Sequence, residues 1–422
     1  AVSPVREAVT VIGRRLAPED HRLRDFLTRM AQPYRWLDAA SPEAVELLAE
    51  RRVSDAGLPV VLEEDSVVPG ATVERLVQAW RLDRPPSQTA YDLAIVGGGP
   101  AGLAAAVYAA SDGLSTLVLE HDVPGGQASH TSLIENFFGF PDGIGGAELA
   151  RLAGRQAERF GAEVLVLRGV TASSGDGLGP FALEVTGGCQ VRAPVVIAAG
   201  GMVWRRLELD GIEALLGRGV YYGAGRSEAA QCGGDPVVVV GAGNSAGQAV
   251  MNLGNAGARV TMAVRGERLG KSMSAYLVRR ILAHPLIDVR LTTEVAAVDS
   301  EDDHLAGVTL RDADGAAERL PARALFLCLG GQPRTAWAVD AGLALDAAGF
   351  ILTGPDLVRD GRRPDTWPLD RDPLALETSV PGLFAAGDLR SGSTKRVAGA
   401  VGEGAMAVAL AHRRLEELAR AG

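Results

Sequence analysis

The chain has 422 residues and a formal net charge of −10, with 47% hydrophobic but only 5% aromatic residues. That is more length than one core needs, so two or three domains of a soluble α/β protein are expected. The acidic balance argues against nucleic-acid or anionic-membrane partners, which need basic surface. No apolar run approaches the ~18 residues of a membrane span, and the start, "AVSPVREAVT", lacks a secretory h-region. Cys189, Cys232 and Cys328 show no paired spacing, so a reducing cytoplasm is the expected location. The few histidines are scattered and form no readable metal site.

The first segment covers residues 1–82. "AVTVIG" reads as a buried strand, "HRLRDFLTRM" as an amphipathic helix, "YRWLDA" as a second strand and "PEAVELLAERR" as a second helix. "GLPVVLEEDSVV" is a strand running into a turn, and "TVERLVQAW" closes as a helix. This β-α-β-α-β-β-α order resembles a thioredoxin/glutaredoxin fold, which places a cis-proline before its third strand, where Pro59 stands. Glutaredoxins carry Cys-Pro-x-Cys at the start of their first helix. The matching run here is "APED", Ala17 to Asp20, which keeps Pro18 and has neither cysteine. Without a thiolate to attack a disulfide, a small docking domain is the reading for this segment. "RLDRPPSQTAY" follows, and its prolines and polar residues mark residues 83–90 as a linker.

The next unit opens "YDLAIVGGGPAGLAAAVYAA". An apolar strand, Leu93 to Val96, runs into Gly97, Gly99 and Gly102, with Pro100 and Ala101 inside the loop, and an Ala-rich helix then starts. In a G-x-G-x-x-G loop the first glycine permits the tight turn, the second admits a pyrophosphate and the third lets helix and strand pack closely. The helix N-terminus adds N–H groups and partial positive charge. The following strand, "LSTLVLE", ends at Glu120, 18 residues beyond Gly102, where an acid can hold ribose hydroxyls. A second copy, "DPVVVVGAGNSAGQAVMNLGNAGARVTMAVRG", begins its loop 144 residues later with Gly241, Gly243 and Ala246. Its second strand ends at Arg265 rather than an acid, with Arg268 and Lys271 nearby. Positive charge there favours a 2′-phosphate, hence NADPH over NADH. Two dinucleotide loops in one chain imply one tightly held redox cofactor and one exchangeable hydride carrier.

From residue 91 to about 415 the chain resembles the thioredoxin-reductase family of two-dinucleotide flavoproteins. "VGGGPAGLAAA" resembles the family's FAD pyrophosphate loop, and "GGQASHTSLIENFFGFP" its G-G-Q…E-N-x-x-G-F segment. That likeness implies that Gly126, Gln127 and Asn136 lie along FAD. "VVIAAGG", containing Ala199 and Gly200, resembles the strand returning beside FAD, and "GAGNSAGQA", with Asn244 and Ser245, the NADPH loop. "LFLCLGGQPRT" resembles the return crossing. "PGLFAAGDLRSGSTKRVAGAVGEGAMAV" resembles the terminal flavin motif, in which Gly387 and Asp388 are implied at the ribityl chain and Arg396, Val397 and Ala398 at the isoalloxazine. The implied fold class is α/β, two Rossmann-like FAD- and NAD(P)-binding domains plus the small thioredoxin-like domain. The FAD domain spans 91–208 and 332–422 and the NADPH domain 209–331, with Gly201 and Gly330–Gly331 as candidate hinges. Family membership also implies a homodimer.

One segment departs from the family. Thioredoxin reductases carry Cys-x-x-Cys just before the second nucleotide strand; aligning "GVYYGAGR" places Gly223 and Arg226 there. A dithiol cycle needs two neighbouring sulfurs. The resemblance therefore implies an FAD-dependent NAD(P)H oxidoreductase whose acceptor is not a vicinal disulfide: a small molecule such as a quinone or oxygen, or an electron-transfer protein, as in ferredoxin–NADP⁺ reductases of this fold. Two alternatives stay open: a disulfide reductase with relocated thiols using Cys232, and a non-catalytic flavin- or nucleotide-responsive binding protein. Cys328 reads as a core residue, Cys189 as an exposed turn residue, and His130 as a surface histidine at the cofactor rim rather than a general acid.

Overall fold

The computed structural model describes residues 8–15, 17–54, 57–131, 133–223, 229, 231–271, 273–335, 337 and 342–421. Arg226 lies outside them. Among the described residues no helix is long and apolar enough to cross a membrane.

The N-terminal unit runs β1 (Val9–Gly13), α1 (Pro18–Arg29), β2 (Tyr34–Asp38), α2 (Pro42–Glu50), β3 (Val60–Leu62), β4 (Val67–Val68) and α3 (Val73–Trp80), the element order read from the sequence. Its sheet order is β2-β1-β3-β4, with β1 parallel to β2 and antiparallel to β3. The Leu58–Pro59 peptide is cis. Pro18 occupies the first turn of α1, where a missing N–H costs nothing. Ser41 and Thr72 cap α2 and α3 by accepting from Ala44 N and Arg75 N. The core of Val11, Leu23, Leu27, Val61 and Leu76 continues without a break into Val123 and Val166 of the next unit.

The first Rossmann-like unit contains β5 (Leu93–Val96), α4 (Pro100–Ser111), β6 (Thr116–Leu119), α5 (Gly146–Arg159) and β7 (Glu163–Leu165). A three-stranded antiparallel sheet follows, of β8 (Val170–Ser174), β9 (Phe181–Val185) and β10 (Cys189–Ala193), and the chain then returns as β11 (Val195–Ala198). It leaves through β12 (Met202–Trp204) into β13 (Val220–Tyr222), β14 (Pro236–Val240), α6 (Asn244–Asn255), β15 (Arg259–Ala263), α7 (Ala275–Ala283) and β16 (Ile287–Arg290). A meander of β17 (Thr293–Glu301), β18 (His304–Asp312) and β19 (Ala317–Pro321) precedes β20 (Ala324–Leu327). β21 (Gly331–Pro333) crosses back, pairing antiparallel with β12, and β22 (Leu383–Ala385) and α8 (Val397–Ala421) finish the chain.

The two main sheets repeat one design. Their orders are β22-β11-β5-β6-β7 and β13-β20-β14-β15-β16, every pair parallel. Such strands are buried on both faces and read as unbroken apolar runs, as "LAIV" and "VVVV" do. In the first sheet the chain starts at the middle strand, β5, moves outward on one side and returns on the other; in the second it enters at the edge strand β13, passes to the middle strand β14, moves outward through β15 and β16 and returns as β20 between β13 and β14. The crevice at the carboxyl end of that middle strand is the topological switch point where such sheets bind ligands.

Residues 83–90, expected as a linker, are pinned along the first Rossmann-like unit. Glu163 accepts from Ser87 N at 3.0 Å and from Ser87 Oγ at 2.6 Å, and Arg168 Nε donates to Arg84 O at 3.2 Å. The N-terminal unit also touches the second unit. Arg15 pairs with Asp235 at 3.2 Å, and the His21 and Tyr221 rings meet at 4.6 Å. A Cβ on Gly217 would stand 3.4 Å from Pro18 Cα.

Burial lowers the His21 imidazole to about 4, against about 6.5 in an unfolded chain. As pH falls the unfolded chain takes up this proton first, so the histidine's contribution is full above about 6.5 and is lost as pH drops toward 4. The urea midpoint of the wild-type chain should fall across that window, and His21→Gln should flatten the fall; an unchanged pH profile in the variant would refute the assignment.

Candidate dinucleotide cleft

At the β5 crevice two strands nearly touch. Ala199 N donates to Val96 O at 2.8 Å, and Gly97, at φ +113°, leaves no room for a side chain: a Cβ would lie 2.4 Å from Ala199 O. Gly102 brings α4 onto the loop, since a Cβ there would stand 1.8 Å from Gly97 O. Gly99, the N-cap of α4, is the opposite case, with nothing within 4 Å of its missing Cβ. The three glycines thus divide into turn, packing and open cradle, the division a pyrophosphate site needs. Glu120 is 2% exposed. Its carboxylate accepts from Gly98 N at 2.6 Å and Asp122 N at 2.9 Å, which fixes it at the edge of the cradle.

The cradle opens into a cleft of about 700 Å³, within the range of cofactor pockets. Gly99, Pro100, Ala101, Glu120, Gly126, Gln127, Asn136, Ala199 and Gly200 line one wall. Gln127 Nε2 donates to Met202 O at 2.9 Å, tying the Gly126 turn to β12. Gly387, Asp388, Arg396 and Val397 line the far end at the start of α8. That helix reaches the cleft because Gly404 lets it lie on α4: a Cβ there would be 2.1 Å from Ala101 O. Burial raises the pKa of Asp388 and lowers that of Lys395; Lys395 Nζ donates to Asp388 O and sits 4.3 Å over the Phe350 ring.

The start of α6, directly after the second loop, borders the same cleft. Gly241, at φ +141°, approaches Cys328 O, 2.5 Å from where a Cβ would be, and Gly243 has nothing within 4 Å. Cys328 N donates to Val240 O at 2.8 Å, so Cys328 occupies in the second unit the place Ala199 holds in the first. Asn244 accepts from Ser274 N at 2.8 Å, and Asn244, Ser245 and Gln248 line the cleft, while Ala246 is buried beneath. Ala398 is exposed on α8 and is not among the lining residues. Arg265, Arg268 and Lys271 are also exposed; they follow β15 outside the cleft wall. Arg280 pairs with Glu135 at 2.9 Å and Gln248 Nε2 donates to Leu133 O at 3.2 Å, joining the second unit to the first across the opening.

Several lining residues carry no sequence signal: Arg29 from the N-terminal unit, Trp204, Tyr222 and Tyr276. Lys395 could have been found as the neighbour of Arg396 before an apolar helix. His130 lines the cleft and stacks edge-on to Trp204 at 6.3 Å.

Gly223 follows β13 at φ +79°, its N–H donating to Leu327 O at 3.0 Å. A cysteine would be strained in that backbone conformation. Cys232 is 7% exposed, packed in the core of the second unit. Cys328 is likewise buried, which pushes its thiol up to about 12. Cys189 is half-buried, at the start of β10.

Two glycine cradles facing one cleft define a two-dinucleotide oxidoreductase. Residues 91–404 match the family described as pyridine nucleotide-disulphide oxidoreductase, and the chain belongs to that family. It is 33% identical over 343 residues to mitochondrial thioredoxin reductase 1 of Arabidopsis thaliana, covering 77% of this chain and 84% of that one. It is 31% identical over 329 residues to thioredoxin reductase of Bacillus subtilis, covering 78% and 96%. Among solved structures, T. acidophilum thioredoxin reductase superposes with a TM-score of 0.68 at 28% identity, over 77% of this chain and 99% of that one. The Lactococcus lactis enzyme in its FR conformation superposes with a TM-score of 0.67 at 28% identity, over 78% and 99%. The protein is an FAD-dependent oxidoreductase, with the family's cofactors FAD and NADPH. The open cradles at Gly99 and Gly243 fit two dinucleotides.

Thiol-reactive reagent on the folded protein should label Cys189 and spare Cys232 and Cys328; rapid native labelling of Cys232 would contradict its burial. Gly223→Ala should cost about 1 kcal/mol of stability, the penalty of a left-handed non-glycine residue, read by urea denaturation; a variant as stable as wild type would show that the turn relaxes.

Proposed function

We propose that this enzyme passes electrons from NADPH through FAD to an acceptor other than a vicinal disulfide. The observation that carries the reading is Gly223. The family's redox pair has no sulfur at this position or at Arg226, and the backbone at Gly223 is one that glycine favours. Cys232, the cysteine nearest in sequence, and Cys328 are core residues, which argues against relocated thiols.

In this reading residues 91–208 and 332–422 form the FAD domain and 209–331 the NADPH domain. Bound together, FAD and NADPH would supply hydride transfer between nicotinamide C4 and flavin N5. The chain's part is orientation. Gly97, Gly99, Pro100, Ala101 and Gly102 hold the FAD pyrophosphate at the N-terminus of α4. Glu120 takes the ribose, and Gly126, Gln127, Asn136, Ala199 and Gly200 wall the cofactor. Gly387 and Asp388 hold the ribityl chain, while Arg396 and Val397 bring the positive end of α8 to the isoalloxazine. Gly241, Gly243, Asn244, Ser245 and Ala246 hold the NADPH pyrophosphate, and Arg265 and Arg268 select its 2′-phosphate. One cleft shared by both loops supports direct approach of the two cofactors, since proximity is the main service a protein gives to hydride transfer. Trp204, Tyr222 and the space left at Gly223 border the route of a planar acceptor such as a quinone.

The N-terminal unit is proposed as a thioredoxin-like domain turned into a docking element. Its Ala17–Asp20 run, where glutaredoxins keep their cysteines, belongs to the helix start that faces Gly217 and Tyr221. A cytoplasmic location is proposed on the cysteine pattern, and a homodimer on family likeness.

Anaerobic stopped-flow mixing with NADPH should bleach the flavin, and steady-state turnover should appear with a quinone but not with thioredoxin disulfide. Turnover with the disulfide, or a flavin that stays oxidised, would overturn the proposal.

A further inference from the structure

We infer that the N-terminal unit completes the FAD site: Arg29, at the end of α1, is a binding residue for the adenosine half of the dinucleotide. The inference rests on reading the cleft as the FAD site and goes beyond it by assigning a ligand contact to a unit outside the stretch that matches the family, residues 91–404.

Arg29 lies on the same wall as Glu120, His121 and Asp122. Its side chain is only 12% exposed. Nη2 donates to Asp122 Oδ2 at 2.5 Å, Nε to Ser129 Oγ at 3.3 Å and Nη1 to Asp25 Oδ2 at 3.4 Å. Ser129 Oγ in turn donates to Gly126 O at 2.7 Å. The guanidinium therefore spans the gap between the end of β6, which carries the ribose acid, and the turn that begins at Gly126. Both segments border the cleft, so a group held between them borders it too.

Three bonds leave part of a five-donor guanidinium for a ligand. Its plane is fixed by those bonds, which suits hydrogen bonding to ribose or stacking on a purine without loss of side-chain freedom. The adenosine half is indicated because Glu120, the acid placed for ribose, is two residues from Asp122. The unit that delivers Arg29 is held in place by the continuous core through Val123 and Val166 and by the pinned 83–90 segment. A domain without its thiols would then be retained because the flavin site is incomplete without it.

Arg29 could instead be only a tie between units, acting through Asp122. The two roles separate in FAD binding to the full-length apoprotein, followed by fluorescence quenching, with apoprotein melting temperature and NADP⁺ affinity as companion readouts. Arg29→Ala should weaken FAD about tenfold, the scale of one lost charge-assisted contact, while NADP⁺ affinity is kept. Asp122→Asn, which breaks the ion pair but leaves the guanidinium, should weaken FAD much less. Arg29→Lys, which keeps charge but loses the plane, should fall between. Unchanged FAD affinity in Arg29→Ala would overturn the inference, as would equal losses in Arg29→Ala and Asp122→Asn with matching drops in apoprotein melting temperature. Wild-type apoprotein that takes up no FAD would instead overturn the reading of the cleft itself.

Discussion

The contact on which the rest of the structure depends is the approach of Gly97 to the carbonyl of Ala199. Two adjacent parallel strands end there, one outgoing and one returning, and any side chain at Gly97 would collide with the returning backbone. Because that position is bare, the loop turns tightly enough for α4 to start directly above the strand end, and Gly102 seats the helix on the loop. Gly99 is then left facing open space. The same construction recurs at Gly241 and Cys328, with Gly243 open. Two anion cradles made by one geometric device, with the helix start after the second bordering the cleft that the first opens into, distinguish a chain that brings two dinucleotides together from one that binds a single nucleotide.

This much was legible in the sequence because it is local. Glycine spacing after an apolar run, and an acid or an arginine at the end of the next strand, depend on a few dozen residues that fold against one another. The N-terminal element order was legible for the same reason: alternating and helical periods sit between clear turn residues. Contacts between units were not. Arg29 enters the cleft from a helix more than ninety residues upstream of Asp122, and nothing in "FLTRM" marks its arginine. Trp204 and Tyr276 reach the cleft from the crossover ribbon and from α7, where sequence shows only an aromatic residue beside apolar neighbours. The "RPPSQ" stretch read as a linker by composition, yet Glu163 and Arg168 hold it down through partners remote in sequence.

The departure at Gly223 acquires a physical meaning in the fold. A cysteine replaced in passing by another residue would leave backbone geometry unchanged. Here the strand ends in a left-handed turn that glycine favours, and the neighbouring indole of Trp204 stands at ordinary contact distance, 3.6 Å from where a Cβ would be. Meanwhile Cys232 and Cys328 are packed among the Val, Met and Leu side chains of the second unit, where burial suppresses thiolate formation. The proposed route for electrons without sulfur rests on these two observations together.

Electron counting tests the central proposal most directly. Anaerobic reductive titration of the holoenzyme, followed by flavin absorbance, measures how many electrons each subunit stores before excess reductant accumulates. A flavin with no redox-active disulfide beside it takes up two, and two is the predicted result. Uptake of four, the count for a flavin coupled to a disulfide, would contradict it.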